Sequence, residues 1–284
     1  MIRLLRPAAA GLALYLLMAA LVLGCAHSGS GAPTAGQAVV TVEATGGVTE
    51  SAADEIRQAA DDTVAFFREN SGLQLNQGVN ILLTPDRKAY IREIVDRFKI
   101  SEPEAERVSL GTHALTGGRL IIVDMSGVPT VRQKTFLIAH ELTHQIQRQI
   151  AGSQAGQVKW LLEGMAETTG AQVVSRRGYL SLDEYRNNWR SGLQQAADKP
   201  DLAELKSADG WSASLARYGS AATYKTAGLA AMTLTERFGQ QKVLDYFSGL
   251  GRGESPEDSF QKAFGIPMAD FIAEYRRLVR RAAS

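Results

Sequence analysis

Cysteine is almost missing from this chain: 284 residues contain one, Cys25. An intramolecular disulfide is therefore excluded. An excess of charge is missing too. The 31 Lys and Arg are balanced by 30 Asp and Glu, a formal net charge of +1. Nothing in that balance favours nucleic acid, an acidic polymer or an anionic membrane face as partner. No internal repeat is visible, and histidine is scarce, with four in the whole chain. What is present is 45% apolar and 21% charged residues, enough for one large core or two small ones beneath an ordinary polar surface.

The first residues have their own chemistry. Arg3 and Arg6 precede an almost wholly apolar run from Pro7 to Leu23, and small residues follow at Gly24-Cys25-Ala26. This order describes an export signal over 1–24 better than a membrane-spanning helix, for which the run is near the lower limit of length. Val22-Leu23-Gly24-Cys25 resembles the lipobox of bacterial lipoproteins, although Leu23 stands where a small or β-branched residue is usual. The resemblance implies cleavage before Cys25 and lipidation of that residue. More than one acyl chain there would anchor the protein stably to a membrane. Ala26 is not the acidic residue associated with inner-membrane retention, which points to the outer membrane where a cell has two. Residues 25–37 are small and polar, a flexible linker, so the folded body is expected to begin at 38.

Within that body, Val39–Val42, Val79–Leu83 and Leu120–Val123 read as strands, with helical spacing over Ser51–Asn70 and Asp86–Phe98. From Thr130 onward the signals are helical. Thr130 with Gln133 makes a capping box, and Gly152 is a natural stop. Val158–Arg177 is closed by Gly178, and Ser181 with Glu184 caps another helix. Breaks at Asp198–Asp201 and Asp209-Gly210 precede a helix over about 220–238, and Ser255-Pro256 starts a late one. The expected fold class is α+β: an α/β part over 38–128 with a small mixed sheet, then a mainly helical part over 129–284.

The chemistry concentrates in His140-Glu141-Leu142-Thr143-His144. On a helix, residues four apart share a face, so both imidazoles can meet one metal ion. Glu141 lies about 100° round the axis from His140, where its carboxylate can take a proton from water without binding the ion. A catalytic zinc site usually needs a third protein ligand and one open position. Glu163 supplies a candidate: it is a charged group in the apolar turn Trp160-Leu161-Leu162-Glu163, and buried carboxylates need a partner or a metal. A turn over Gly152–Gly156 would fold its helix back beside the first.

HELTH followed, after eighteen intervening residues, by Glu163 in the segment WLLEGMAE resembles the gluzincin metallopeptidases, and the Ala166-Glu167 ending resembles their bacterial peptidase-MA-like members. The resemblance implies a thermolysin-like architecture, one Zn²⁺ held by His140, His144 and Glu163, and Glu141 as general base. Glu167, one turn beyond Glu163, would hydrogen-bond a ligating histidine; the plainer reading is a solvated carboxylate. Tyr224 stands where related proteins tend to carry a cleft tyrosine able to donate to an oxyanion, with Tyr218 as the alternative. Two departures bear on substrate. No Gly-x-Met-Glu-Asn segment precedes HELTH, which argues against capture of a substrate amino terminus, and the downstream Glu-then-Asp arrangement of the thermolysin branch is missing. The expectation is a zinc-dependent endopeptidase, lipid-anchored in the bacterial cell envelope and acting on proteins or peptides. The competing reading is a zinc-binding envelope scaffold without activity. The strand over Leu120–Val123 is expected at a sheet edge, where an extended peptide can pair with it.

Overall fold

The structure, a computed structural model, describes residues 39–196 and 198–281. The expected signal, Cys25 and the linker lie outside the described residues. No described helix is long and apolar enough to cross a membrane.

The first third alternates strands and helices: β1 (Val40–Ala44), α1 (Glu50–Ser71), β2 (Val79–Thr84), α2 (Arg87–Phe98), α3 (Glu102–Val108), β3 (Ala114–Gly117) and β4 (Leu120–Asp124). Helix starts follow local chemistry. The Thr49 and Asp86 side chains accept from the backbone N–H groups of Ala52 and Ala89, satisfying donors that the first turn leaves free. The four strands form one mixed sheet in the order β1-β2-β4-β3, with β1–β2 and β2–β4 parallel and β3 antiparallel to β4. Alternation along the strands divides the apolar residues between two faces. Ile81, Leu83, Ile121 and Val123 enter the large core with α1, whereas Ile122 faces Tyr90, Ile91 and Ile94 of α2 and Ala105 of α3.

Beyond residue 130 the regular elements are helices: α4 (Val131–Ala151), α5 (Lys159–Arg176), α6 (Leu182–Gln195), α7 (Ala208–Phe238), α8 (Gln240–Gly251), α9 (Pro256–Phe264) and α10 (Met268–Arg281). The fold is thus a mixed α/β one, a small sheet followed by a helical body. Both capping boxes form, at Thr130–Gln133 and Ser181–Glu184, and Gly152 ends α4. A tight turn over Gly152–Gln157 then brings α5 back against α4. On its other side α5 meets α7 at close range. A Cβ on Gly164 would stand 2.4 Å from the Ala227 carbonyl oxygen, so only glycine permits this approach.

Three expectations change. Leu120–Val123 is interior rather than an edge strand; the edge belongs to β3, which the Gly118-Arg119 turn folds back along β4. Asp209-Gly210 is no break: Ser207 caps α7 by accepting from the Gly210 N–H, which places both residues in its first turn. The real interruption comes at Gly219, whose φ of 79° no helix accommodates. Finally, α3, β3 and α8 add elements to those the sequence suggested.

Candidate metal centre

The site is built on α4. Ile138, Leu142 and Ile146 bury one stripe of this helix in the core, and Lys134 fastens its first turns to α1 through a 2.6 Å ion pair with Glu55. With the helix fixed, His140 and His144 project from one face, their Nε2 atoms 3.1 Å apart. Helix α5 runs alongside and brings Glu163 to them. Glu163 Oε2 lies 3.3 Å from His140 Nε2 and 3.4 Å from His144 Nε2. His140 and Glu163 are buried, Glu163 at 5% exposed, and His144 is partly exposed.

Hydrogen bonds at the far side of each ring decide what those Nε2 atoms present. His140 Nδ1 is 3.1 Å from Glu167 Oε1, and a carboxylate only accepts, so Nδ1 carries the proton. His144 Nδ1 is 2.8 Å from Gln147 Oε1. The Gln147 amide is itself oriented, because its Nε2 donates to the Leu162 carbonyl at 2.8 Å and leaves only Oε1 for the ring. Both rings are thereby set with Nε2 toward Glu163. Glu163 is held in turn by Lys159, whose Nζ donates to Oε1 at 2.6 Å.

Three lone-pair-bearing atoms in a triangle with edges of 3.1, 3.3 and 3.4 Å repel one another unless a proton or a cation lies among them. A tetrahedral ion with bonds of about 2.0–2.1 Å spaces its ligand atoms about 3.3–3.4 Å apart, so the triangle fits one face of such a coordination sphere. Without a cation the proton takes the place. Burial works against charge on His140, but its contacts with Glu163 and Glu167 outweigh that and raise its pKa to about 10. Burial likewise opposes charge on Glu163, and Lys159 with the two imidazoles pulls its carboxyl well below the usual range. Among the described residues no other group of three His, Cys, Asp or Glu side chains converges in this way. The cluster is a buried site able to hold a metal ion.

Glu141 is buried beside these ligands and stays out of the triangle. Its Oε2 accepts from Thr116 Oγ1 on the edge strand β3 at 2.5 Å. One face of α4 meets the β3–β4 turn again two helical turns on, where Arg148 donates to the Gly118 carbonyl at 2.9 Å. Tyr224 comes to the site from α7, its ring centroid 6.1 Å from that of His140, and Trp211 stands edge-on to it at 5.1 Å. Burial, then the charges of Glu163, Glu167 and Glu141, hold the Tyr224 phenol well above its usual pKa, so it remains a donor. Tyr218 is elsewhere, beneath Arg217 and 3.5 Å from Glu204 at the surface. His113 stands apart as well, half exposed and 3.6 Å from Asp124.

Sequence reasoning placed His140, Glu141, His144, Glu163, Glu167 and Tyr224, and the structure brings all six together. It missed Gln147, Thr116 and Lys159. Gln147 is one of three glutamines between His144 and Ile150, and nothing in the sequence sets it apart from Gln145 and Gln149. The other two depend on which strand or turn lies opposite, which spacing does not report. No protein-family model matches this chain, and neither a curated protein nor a solved structure matches it.

Proposed function

We propose that this chain is a zinc-dependent endopeptidase of gluzincin type, anchored in the bacterial cell envelope through lipid on Cys25. The observation that carries the reading is the triangle of His140 Nε2, His144 Nε2 and Glu163 Oε2 with a buried carboxylate, Glu141, beside it and outside it. A purely structural zinc site is closed by four protein ligands and has no use for that extra carboxylate.

Bound by these three groups, a zinc ion supplies Lewis acidity, polarising a carbonyl and lowering the pKa of water toward about 7. The remaining work falls to the chain itself. Glu141, its Oε2 held by Thr116, takes a proton from the attacking water on Oε1 as the water oxygen bonds to the carbonyl carbon. It then gives that proton to the amide nitrogen as the C–N bond breaks, leaving a carboxylic acid and an amine, which exchange the second water proton to become carboxylate and ammonium. Tyr224, protonated and near His140, donates toward the carbonyl oxygen as negative charge grows there. The outer edge of β3 is the surface for an extended peptide, whose backbone would pair along it next to Glu141.

The test compares the wild-type chain with Glu141→Gln on unfolded proteins and a broad peptide library. The wild type is expected to cleave internal bonds, and the variant to hold the same zinc while losing about 10²–10⁴-fold in rate. Identical inertness of both proteins, each fully metal-loaded, would leave a metal-binding scaffold and remove the enzyme.

A further inference from the structure

Lys159 is a costly residue where it stands. It is the first residue of α5, where the helix dipole disfavours a cation, and Lys four residues before Glu is the poorer order for such a pair. Helix energetics therefore do not account for it. Its contacts do. Nζ lies 2.6 Å from Glu163 Oε1, while Oε2 of the same carboxylate is the atom turned toward the two imidazoles. The side chain is about three-quarters buried, and its ammonium lies 5.9 Å from the ring centroid of Trp211, the residue that stands against Tyr224. The ammonium is thus fixed from two sides.

We infer that Lys159 is a positioning residue that keeps Glu163 a one-oxygen ligand: by occupying Oε1 it leaves Oε2 alone for the metal. A carboxylate free at both oxygens can chelate an ion, adding a bond that makes five when the open position keeps its water. With Oε1 engaged by a charged donor, three protein atoms bind and the fourth position stays free. The inference rests on the metal reading of the site given above, and it concerns the coordination number rather than turnover.

Cobalt(II) is the probe, because the intensity of its visible d–d bands distinguishes four ligands from five. The full chain is saturated with cobalt as wild type, Lys159→Met, Lys159→Gln and Lys159→Arg, with folding checked by circular dichroism. Wild type and Lys159→Arg are expected to show the intense bands of a four-coordinate ion, and the two neutral variants to lose about two-fold or more in intensity as the ion gains a fifth ligand. A fully loaded neutral variant with the wild-type spectrum overturns the inference, and so does a five-coordinate wild type. Failure of the wild type to take up cobalt overturns the metal reading and this inference with it. A chain that gives the expected spectra and cleaves nothing keeps the inference and loses the peptidase.

Discussion

At the scale of single residues, each side chain of the cluster is oriented by a second residue: His140 by Glu167, His144 by Gln147 and Glu163 by Lys159. Gln147 is fully buried, with one end on His144 and the other on the Leu162 carbonyl. Gln147→Leu keeps the volume and removes both bonds, so zinc affinity should weaken about 10–100-fold, measured by competition with a chromophoric chelator. Unchanged affinity would mean that His144 needs no such support. Charge gives a second expectation. In the metal-free chain the His140 pKa, about 10, lies above the ordinary 6.5. Its stabilisation is complete below about pH 6.5 and is lost as pH rises toward 10. Glu163 runs the other way: its depressed pKa stabilises above the ordinary 4.5 and is lost as pH falls below it. With a chelator present, the melting temperature should therefore decline from about pH 6.5 to 10. Because zinc requires neutral imidazole, the gap between metal-loaded and metal-free melting curves should widen over the same range. A metal-free curve that is flat or rising there contradicts the assignment of the proton to His140.

At the scale of elements, two contacts decide where the site sits. The first is the α5–α7 approach at Gly164. Gly164→Ala forces its Cβ against the Ala227 carbonyl and should cost about 1–3 kcal/mol, or roughly 2–4 °C in melting temperature for each kcal/mol at this size. No shift in a thermal melt would show that the helices can part freely. The second is the tie between β3 and α4. Thr116→Val keeps shape but removes the donor to Glu141 Oε2, so kcat should fall about ten-fold with zinc affinity unchanged. An equal loss in both would place the effect in the metal site instead.

The same elements show what was legible beforehand. Helices announce their ends through short local devices, and Thr130–Gln133, Ser181–Glu184 and Gly152 act as read. Glu163 could be picked out because a carboxylate in an apolar turn demands a partner. Strand β3 could not. It spans four residues ending in glycine, shows no periodic run, and exists only because β4 pairs with it. Thr116 went unseen for that reason. Lys159 was not singled out, because one of its two partners, Trp211, lies far along the chain in α7 and the other, Glu163, points to it only once both are known to be buried together.

At the scale of the whole molecule, the sheet and the helical body meet along α4. Lys134 holds α1, Glu141 and Arg148 hold β3 and its turn, and Gln149 bonds the backbone of Gln74 and Asn76 ahead of β2. The helix bearing the histidines is thus clamped on the sheet side, while α5 and α8 of the helical body pack against it. This rigidity allows three side chains from two helices to meet at one point. Anomalous X-ray scattering at the zinc edge, from crystals of the full chain, measures that meeting directly. The account predicts one ion per chain bonded at about 2.0–2.2 Å to His140 Nε2, His144 Nε2 and Glu163 Oε2. An ion bound without Glu163, or no ion there after saturation with zinc, would contradict it.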